Sequence, residues 1–462
     1  MRACLGAAAI ALLLAACGSD DGPTGIGPME PEPQREGDAE AGYTALVNEG
    51  YVGCGVPYSA YEQVAGGAVP EAFLIPGRND ANADLPYFMT RFTTAAGVDV
   101  ISPNCLQCHG EFLNGELVIG LGNHTTDYTD DLSTYALLSG GLVKDPVEKK
   151  EWERWKDRML AISDYIIMDT VGVNPADNLA AALFAHRDPE TLEWSNEPLI
   201  ELPAATEVVP VDVPPWWNMK KKNAMFYLAA GRGDHARIMM TASTLCVETV
   251  EEAQAIDAYF PDVRAFIASI EPPAWPGDVD GALVDRGREV FDDTCARCHG
   301  TYGSGVDYPN LVVALDEVET DDALARGTAQ FAGAFVDWFN DSFYGELSEL
   351  APADGYVAPP LDGVWATAPY LHNGSVPTLA ALLDSASRPA YWTRTFDTSD
   401  YDASAVGWRW TATPSRDDEP DVDRKELIYD TTRPGYGNGG HTFADSLAAG
   451  DRTALLEYLK TL

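Results

Sequence analysis

Two copies of one short pattern, Cys-x-x-Cys-His, constrain this chain more than any other feature. They occupy residues 105–109 (CLQCH) and 295–299 (CARCH). The pattern attaches haem covalently, because two thiols add to the two vinyl groups of one haem and the adjacent histidine ligates its iron. A zinc site needs more cysteine or histidine nearby, and a redox dithiol does not need the histidine. We therefore predict two covalently bound c-type haems, held by Cys105, Cys108 and His109 and by Cys295, Cys298 and His299.

The chain is strongly acidic, and this excludes several kinds of partner. Its net charge is −42, so neither nucleic acid nor anionic lipid headgroups are expected to bind. Such acidity is typical of proteins that remain soluble in a salty or extracellular setting. It would also attract a basic electron-donor protein towards this chain. The 462 residues are 46% hydrophobic, which suffices for two or three packed units. The many aspartates allow calcium binding, although no loop has a specific calcium-ligand pattern.

The first residues form an export signal rather than part of a fold. Arg2 precedes an apolar stretch at 5–16 that is too short to span a bilayer, and Cys17 follows directly. This resembles a bacterial lipoprotein signal peptide of residues 1–16, cut so that Cys17 is lipidated; the alternative is an ordinary signal peptide that happens to contain a cysteine. We expect a lipid-anchored protein of the cell envelope, on the outer membrane facing the periplasm or the cell surface. Residues 17–40 are rich in glycine, proline and acidic residues, which predicts a flexible tether.

A similar helix closes each half of the remaining chain, which indicates an internal duplication. Phe266 and Tyr458 lie in matching apolar helical patterns, at nearly equal distances after the two haem motifs. We predict an N-terminal haem module at 41–275 and a C-terminal haem module at 276–462. Gly287, in a helix before the second motif, is expected to let the terminal helix cross closely. Strand patterns are few and short, so the predicted fold class is mainly α: two cytochrome c-like haem modules with long loops and insertions.

Two cysteines remain outside the signal and the haem motifs. Cys54 and Cys246 are an even pair in an oxidising compartment, which favours a disulfide between them. Two buried free thiols are the alternative, and sequence spacing does not decide between the two.

The residue on the second face of each iron decides between electron transfer and chemistry with a small oxidant. All nine methionines lie at or before Met240, so the second module has no methionine ligand of its own. His441, in a glycine-rich loop just before the terminal helix, is the predicted second ligand there, with His372 as the alternative. A haem with two histidine ligands suits the relay of electrons.

The first haem has no equally clear second ligand. The position that matches His441 in the first module is Thr249, which does not ligate iron. This haem is therefore either open on its second face or ligated from the segment 216–240, and we favour the open haem. His235 is the chief alternative ligand. The methionines of the segment are Met219, Met225, Met239 and Met240.

The same segment holds a tryptophan pair and a run of basic residues. Trp216 and Trp217 either conduct electrons between the haems or form a core pair. Arg232 and the lysines at 220–222 either bind haem propionates or form a solvated basic turn. The candidate catalytic residues of this distal and inter-haem region are Trp216, Trp217, Arg232 and His235.

Taken together, these motifs resemble a known family. The two haem modules, ATAPYLHNGSVPTLAALL at 366–383 and a late histidine before the last helix resemble the di-haem cytochrome c peroxidase/MauG superfamily. Within that superfamily, WWNMKKKNAMFY at 216–227 and GYGNGGHTFADSL at 435–447 are closest to the rubber-oxygenase-like branch. The resemblance covers residues 40–462.

The resemblance implies a division of labour between the haems. The haem at His109 is then the reactive one, and the haem at His299 transfers electrons with His441 as its second ligand. His372 lies in the LHNG motif of the superfamily and does not ligate iron there. The implied function is a peroxidase- or oxygenase-like oxidoreductase that activates H2O2 or O2 at the N-terminal haem and acts on an unidentified oxidisable substrate or electron-donor protein. The alternative is a non-catalytic di-haem electron-transfer protein with both haems six-coordinate.

Overall fold

The computed structural model of this 462-residue chain describes residues 25–65, 68–202, 208–303 and 305–462. The predicted signal peptide, Cys17 and the first part of the predicted tether lie outside the described residues. In the described part, no helix combines the length and the apolar character that crossing a membrane requires.

The sixteen α-helices within the described ranges are mostly short. They are α1 (Ala39–Asn48), α2 (Tyr58–Ala65), α3 (Leu106–His109), α4 (Leu132–Ser139), α5 (Pro146–Ile162), α6 (Ala176–Ala185), α7 (His235–Met239), α8 (Val250–Asp257), α9 (Phe260–Ser269), α10 (Gly281–Thr294), α11 (Ala296–His299), α12 (Leu315–Val318), α13 (Ala323–Asp341), α14 (Leu379–Leu382), α15 (Val422–Glu426) and α16 (Ala449–Leu459). The side chains of Asp145 and Asp280 cap α5 and α10, each accepting from two backbone N–H groups of the first turn.

Fifteen strands of two to five residues complete the regular structure of the described ranges. They are β1 (Gly27–Pro28), β2 (Val56–Pro57), β3 (Met89–Thr93), β4 (Asp99–Pro103), β5 (Gly110–Leu113), β6 (Glu116–Ile119), β7 (Gly231–Gly233), β8 (Leu311–Ala314), β9 (Ser348–Leu350), β10 (Gly355–Val357), β11 (Tyr391–Arg394), β12 (Tyr401–Asp402), β13 (Gly407–Trp408), β14 (Trp410–Ala412) and β15 (Tyr429–Asp430).

The strands form small antiparallel sheets spread over the molecule. Three sheets have three strands, in the orders β1–β8–β10, β2–β4–β3 and β14–β11–β15, and the pairs β5–β6, β7–β9 and β12–β13 form three more. The prediction of a mainly α fold is wrong, because the structure is 40% helical and 14% strand. Strands this short contain too few residues to show the alternating pattern that reveals a strand in a sequence. Segments that sequence analysis assigned to loops are therefore partly paired in sheets.

Two helix pairs, one in each half of the chain, cross in the same way. α1 packs on α9, and α10 packs on α16. At the first crossing a Cβ atom on Gly42 would overlap the carbonyl oxygen of Asp262, and at the second a Cβ on Gly287 would overlap that of Ala454. Only glycine permits such close contact between the two backbones. The same glycine-dependent crossing thus occurs in both halves.

The first described residues lie against the body of the protein. β1 pairs with β8, and the Arg35 guanidinium forms ion pairs with Asp234 and Asp257. The described part of the predicted flexible tether, residues 25–40, is therefore packed on the fold, which corrects the expectation of a free linker. Composition did not reveal this, because the partners of Arg35 lie 199 and 222 positions further along the chain.

Two large apolar clusters form most of the core, and each includes residues from both halves of the chain. The first contains Leu106, Trp216, Phe260, Phe339 and Tyr344. The second contains Leu121, Trp217, Phe291, Trp408 and Tyr458. The boundary predicted near 275 divides the sequence, while the apolar clusters extend across it.

Candidate haem sites

His299 and His441 face each other beside the second Cys-x-x-Cys-His motif. Their ring centres are 6.1 Å apart. Two imidazoles that bind one metal through nitrogens at about 2 Å have ring centres roughly 6 Å apart, so an iron fits between these rings. The Nδ1 atom of His299 donates to the carbonyl oxygen of Pro359 at 2.8 Å, which leaves Nε2 for the metal.

Burial disfavours the protonated form of both rings, and the neutral form is the one that ligates a metal. Burial lowers the pKa of His299. Burial, followed by the neighbouring His299 and the charge of Arg388, lowers the pKa of His441 to about 4. The pair is thus a ready site for one metal between two imidazoles.

The loop that carries His441 is held in place by one arginine. Arg388 donates to the carbonyl oxygens of Asn438 and Gly440 at 2.7 Å each, and to that of His441 at 3.1 Å. The backbone N–H of His441 donates to the carbonyl oxygen of Val318 at 2.7 Å. These contacts attach the backbone of the loop to the side chain of Arg388 and to the backbone of Val318, and they fix the position from which the His441 side chain extends.

His372, the alternative ligand, lies in a different environment. Its ring stacks on that of Tyr356 with centres 4.3 Å apart, and its side chain is buried. The next residue, Asn373, donates to the carbonyl oxygens of Gly435 and Gly437 at 2.9 and 3.0 Å. The LHNG segment therefore supports the loop with the facing histidine, while its own histidine packs among aromatic rings.

The first motif lies at the wall of a large cavity. His109 stacks on Trp216 with ring centres 4.7 Å apart, and burial lowers the pKa of His109 to about 3. The Sγ atom of Cys108 accepts from Nδ2 of Asn174 at 3.4 Å and lies 3.8 Å from the hydroxyl of Tyr128. A neutral imidazole and two thiols thus face the same space.

This cavity has a volume of about 1720 Å³. Pockets for one small ligand are typically about 300–1,000 Å³, so the cavity has room for a haem and a second molecule. Apolar side chains from α4, α5, α6 and α13 form much of its wall. Tyr135 and Leu138 of α4 belong to this wall and are 56% and 70% exposed, so the cavity reaches the surface beside α4.

A few charged side chains interrupt the apolar wall. Those among the described residues are Asp169, Asp177, Asp212, Lys222, Arg326 and Arg433. Burial raises the pKa of Asp177 to about 6, and burial also raises the pKa of Asp212. The carboxyl group of Asp177 is therefore able to carry a proton at weakly acidic pH.

The predicted first-site residues are only partly brought together. Neither Arg232 nor His235 is among the described residues that line the cavity. Burial, followed by the charge of Lys222, lowers the pKa of His235 to about 4, so its ring is neutral and buried in the protein beside the cavity. Three of the four methionines do line it: Met219, Met225 and Met239. The structure thus favours methionine over His235 as a neighbour of the first haem site.

The tryptophan pair connects the two apolar clusters. Trp216 stacks on His109 in the first cluster, and Trp217 is fully buried in the second. The Nε1 atom of Trp217 donates to the carbonyl oxygen of Asp362 at 2.7 Å. Two adjacent indoles therefore lead from the first motif into the half of the molecule that holds the second.

The residues at both motifs fit covalently attached haem. The four motif cysteines are free, whereas Cys54 and Cys246 form a disulfide. Burial raises the pKa of Cys105 to about 11 and that of Cys295 to about 12, so these thiols remain protonated rather than becoming reactive thiolates. Each motif thus offers two free thiols and a neutral histidine.

A family described as RoxA-like, cytochrome c-like matches residues 355–393. This segment is thus similar to a RoxA-like cytochrome c domain, and a domain of this kind implies a covalently bound c-type haem. The matched segment includes the carbonyl of Pro359, Asn373 and Arg388, which hold the two facing histidines in place.

Two proteins of Sinorhizobium fredii (strain NBRC 101917 / NGR234) are similar over longer stretches. The uncharacterized protein y4iJ is 28% identical over 289 residues, which are 48% of this chain and 46% of y4iJ. The uncharacterized protein y4iM is 30% identical over 328 residues, which are 62% of this chain and 71% of y4iM. This chain belongs to the y4iM family. It spans about half the length of y4iJ.

In this member of the y4iM family, several residues that line the cavity belong to no recognisable sequence motif. Asp177 and Asp212 follow no pattern, and α13 was not recognised as part of the wall. Lys222 stands in the basic run 220–222, which sequence analysis noted without distinguishing its three members. Contacts from distant parts of the chain decide which of these side chains face the cavity.

Proposed function

We propose that this chain is an exported, lipid-anchored di-haem c-type cytochrome that acts as a redox enzyme. H2O2 or O2 is activated at the N-terminal haem, and electrons pass through the C-terminal haem. The partner is an oxidisable substrate or an electron-donor protein. The observation that carries this proposal is the difference between the two motifs: a histidine faces the second, and a large cavity adjoins the first.

The second site has the properties of an electron-transfer centre. An iron between His299 and His441 has no free position for a substrate. The carbonyl of Pro359 accepts from the His299 imidazole, and Arg388 holds the backbone of His441, which limits the rearrangement that accompanies gain or loss of an electron. Trp216 and Trp217 support a route between the two sites, because their side chains lie in the two adjoining apolar clusters.

The first site has the properties of a reaction chamber. A haem held by Cys105, Cys108 and His109 would supply an iron that can react with a small oxidant entering from the cavity. Trp216 holds the His109 ring by stacking, and the apolar wall suits an apolar substrate. The carboxyl of Asp177, whose pKa burial raises to about 6, holds or releases a proton in this chamber.

The second candidate function is that of a non-catalytic electron carrier. It is favoured by one observation: Met219, Met225 and Met239 line the cavity, and a methionine thioether is a common second ligand of c-type haem. If one of them ligates the first iron, both haems are six-coordinate.

The lipid anchor at Cys17 and the location on the outer membrane belong to this proposal. Their support is the sequence pattern of residues 1–17. Metabolic labelling with a fatty acid, compared between the full chain and a Cys17→Ala variant, tests the anchor. Label on the variant would contradict lipidation at Cys17.

Carbon monoxide binding to the fully reduced, purified protein tests the function. CO needs a vacant or easily vacated ferrous iron, so the enzyme is expected to bind one CO per two haems. The haem content of the same sample, measured as the pyridine haemochrome, converts the bound CO into a number of CO molecules per haem. Turnover with H2O2 or O2 is the measurement that follows.

Three outcomes distinguish the candidates. One CO per chain with two covalent haems supports the enzyme. No CO with two haems supports the electron carrier and contradicts the enzyme. Fewer than two covalent haems per chain contradicts both candidates.

A further inference from the structure

Three adjacent lysines have different surroundings. The Nζ atom of Lys220 lies 2.6 Å from Oε1 of Glu271, and that of Lys221 lies 2.7 Å from both carboxylate oxygens of Asp362. Lys222 lines the cavity instead. Among the residues that the structure describes, no carboxylate lies within ion-pair distance of its ammonium group.

The local backbone explains why Lys222 reaches the same cavity as the first haem motif. Residues 216–221 form a 3₁₀-helix, which rises about 2 Å per residue. Trp216, at the start of this helix, stacks on His109. Lys222, at its end, therefore lies up to about 12 Å further along the wall. This distance is comparable with the width of a haem.

Within the described residues, the ammonium of Lys222 forms no ion pair. Burial lowers its pKa to about 8, so the group is still protonated at neutral pH. The other cations of the wall are compensated, because Arg433 pairs with Asp169 and Arg326 with Asp322. A charge in apolar surroundings is costly unless an opposite charge accompanies it. The position of this ammonium in the wall therefore favours an anion bound beside it.

We propose that Lys222 binds a carboxylate inside the cavity. The carboxylate belongs either to a propionate of the first haem or to a second ligand that joins an apolar chain to one carboxylate group. A single ammonium in an apolar wall matches a group of one negative charge, whereas a phosphate would leave charge uncompensated. The inference rests on the proposed haem site at His109.

The first test compares reduction potentials in the purified haem-loaded protein. Removal of a cation beside a propionate lowers the potential of the first haem, because the cation stabilises the reduced form that carries one more electron. Lys222→Met is expected to lower this potential in a spectroelectrochemical titration, and Lys222→Arg is expected to restore it. Lys221→Met is the matched control, since its ammonium is paired with Asp362 outside the cavity.

The second test uses decanoate and 1-decanol, which have the same chain length and differ in charge. If the carboxylate belongs to a second ligand, the wild-type protein binds decanoate at least tenfold more tightly than decanol in calorimetric titrations. Lys222→Met then binds both equally, and Lys221→Met keeps the preference. Lys222→Gln replaces Lys222→Met if that variant loses its haems.

Each outcome has one meaning. A lowered potential supports the propionate, and a lost preference for decanoate supports the second ligand. An unchanged potential together with an unchanged preference overturns the proposal, and so does a change of the first haem from six- to five-coordinate in Lys222→Met, because the amine would then be an iron ligand. Fewer than two pyridine-haemochrome equivalents in the wild-type sample contradicts the proposed function itself.

Discussion

At the scale of single residues, the backbone of His441 is in a conformation that histidine seldom adopts. Its φ angle is 45°, in the left-handed region, which costs a non-glycine residue about 1 kcal/mol. Such a conformation persists only where neighbouring contacts impose it, and Arg388 and Val318 supply those contacts. The fold thus maintains a strained residue opposite His299.

Replacement of His441 by glycine tests whether it ligates the second iron. Glycine accepts the observed φ angle, so His441→Gly removes the imidazole without adding backbone strain. We expect the reduced variant to bind two CO molecules per chain, compared with one for the wild type. His372→Gln is the control and is expected to bind one, because His372 stacks on Tyr356. One CO in His441→Gly would show that another residue holds this iron.

His372 also makes stability depend on pH. Burial lowers its pKa to about 4, whereas an unfolded histidine titrates near about 6.5. Between these values the unfolded chain binds a proton that the folded chain does not, so the free energy of unfolding falls as the pH drops. The contribution of one such group is about 1.4 kcal/mol per pH unit.

His372→Gln is therefore expected to reduce the slope of unfolding free energy against pH by about 1.2 kcal/mol per unit between pH 6 and pH 4.5, since the histidine is partly titrated at both ends of this range. Urea unfolding at several pH values measures the slope. Above pH 7 the two slopes should coincide, which serves as the internal control. Equal slopes at low pH would mean that His372 is protonated in the folded protein.

At the scale of elements, the two helix crossings depend on glycine. In α10 and α16 the backbones approach so closely that a methyl group at Gly287 has no space beside Ala454. Sequence analysis predicted this crossing from Gly287. It did not identify the matching crossing of α1 and α9 at Gly42, because Gly42 lies only two residues after the acidic segment that was assigned to a tether.

Gly287→Ala is expected to lower the free energy of unfolding by about 1–3 kcal/mol, because the added Cβ forces the two backbones apart. Gly450→Ala, in the partner helix α16, is the matched control. No atom lies within 4 Å of a Cβ at Gly450, so this substitution is expected to be neutral or stabilising by up to about 1 kcal/mol. Urea unfolding followed by far-ultraviolet circular dichroism compares the two, and equal stabilities would contradict the close crossing.

At the scale of the whole molecule, one disulfide connects distant parts of the chain. Cys54 and Cys246 are separated by 192 positions, and both side chains are buried. A crosslink that closes so long a loop restricts the unfolded chain strongly. It therefore stabilises the half of the molecule that contains the first haem motif.

Loss of this disulfide is expected to lower the free energy of unfolding by about 2–5 kcal/mol. The measurement is urea unfolding of the haem-loaded protein with and without a reductant. The double variant Cys54→Ala, Cys246→Ala is the control and should not respond to the reductant, because thioether bonds to haem are not reduced. An equal response of both proteins would place the reducible bond elsewhere.

The sequence by itself predicted where haem attaches, because two thiols and a histidine within five residues are the arrangement that this attachment chemistry requires. It also ranked His441 above His372 and indicated the crossing at Gly287, since these follow from local patterns. Only the tertiary structure decided that short strands form six sheets in the described ranges, that His235 does not line the cavity, and that Lys222 lacks the paired carboxylate that Lys220 and Lys221 have. These features depend on contacts between side chains that are far apart in the sequence, and local sequence patterns do not predict such contacts.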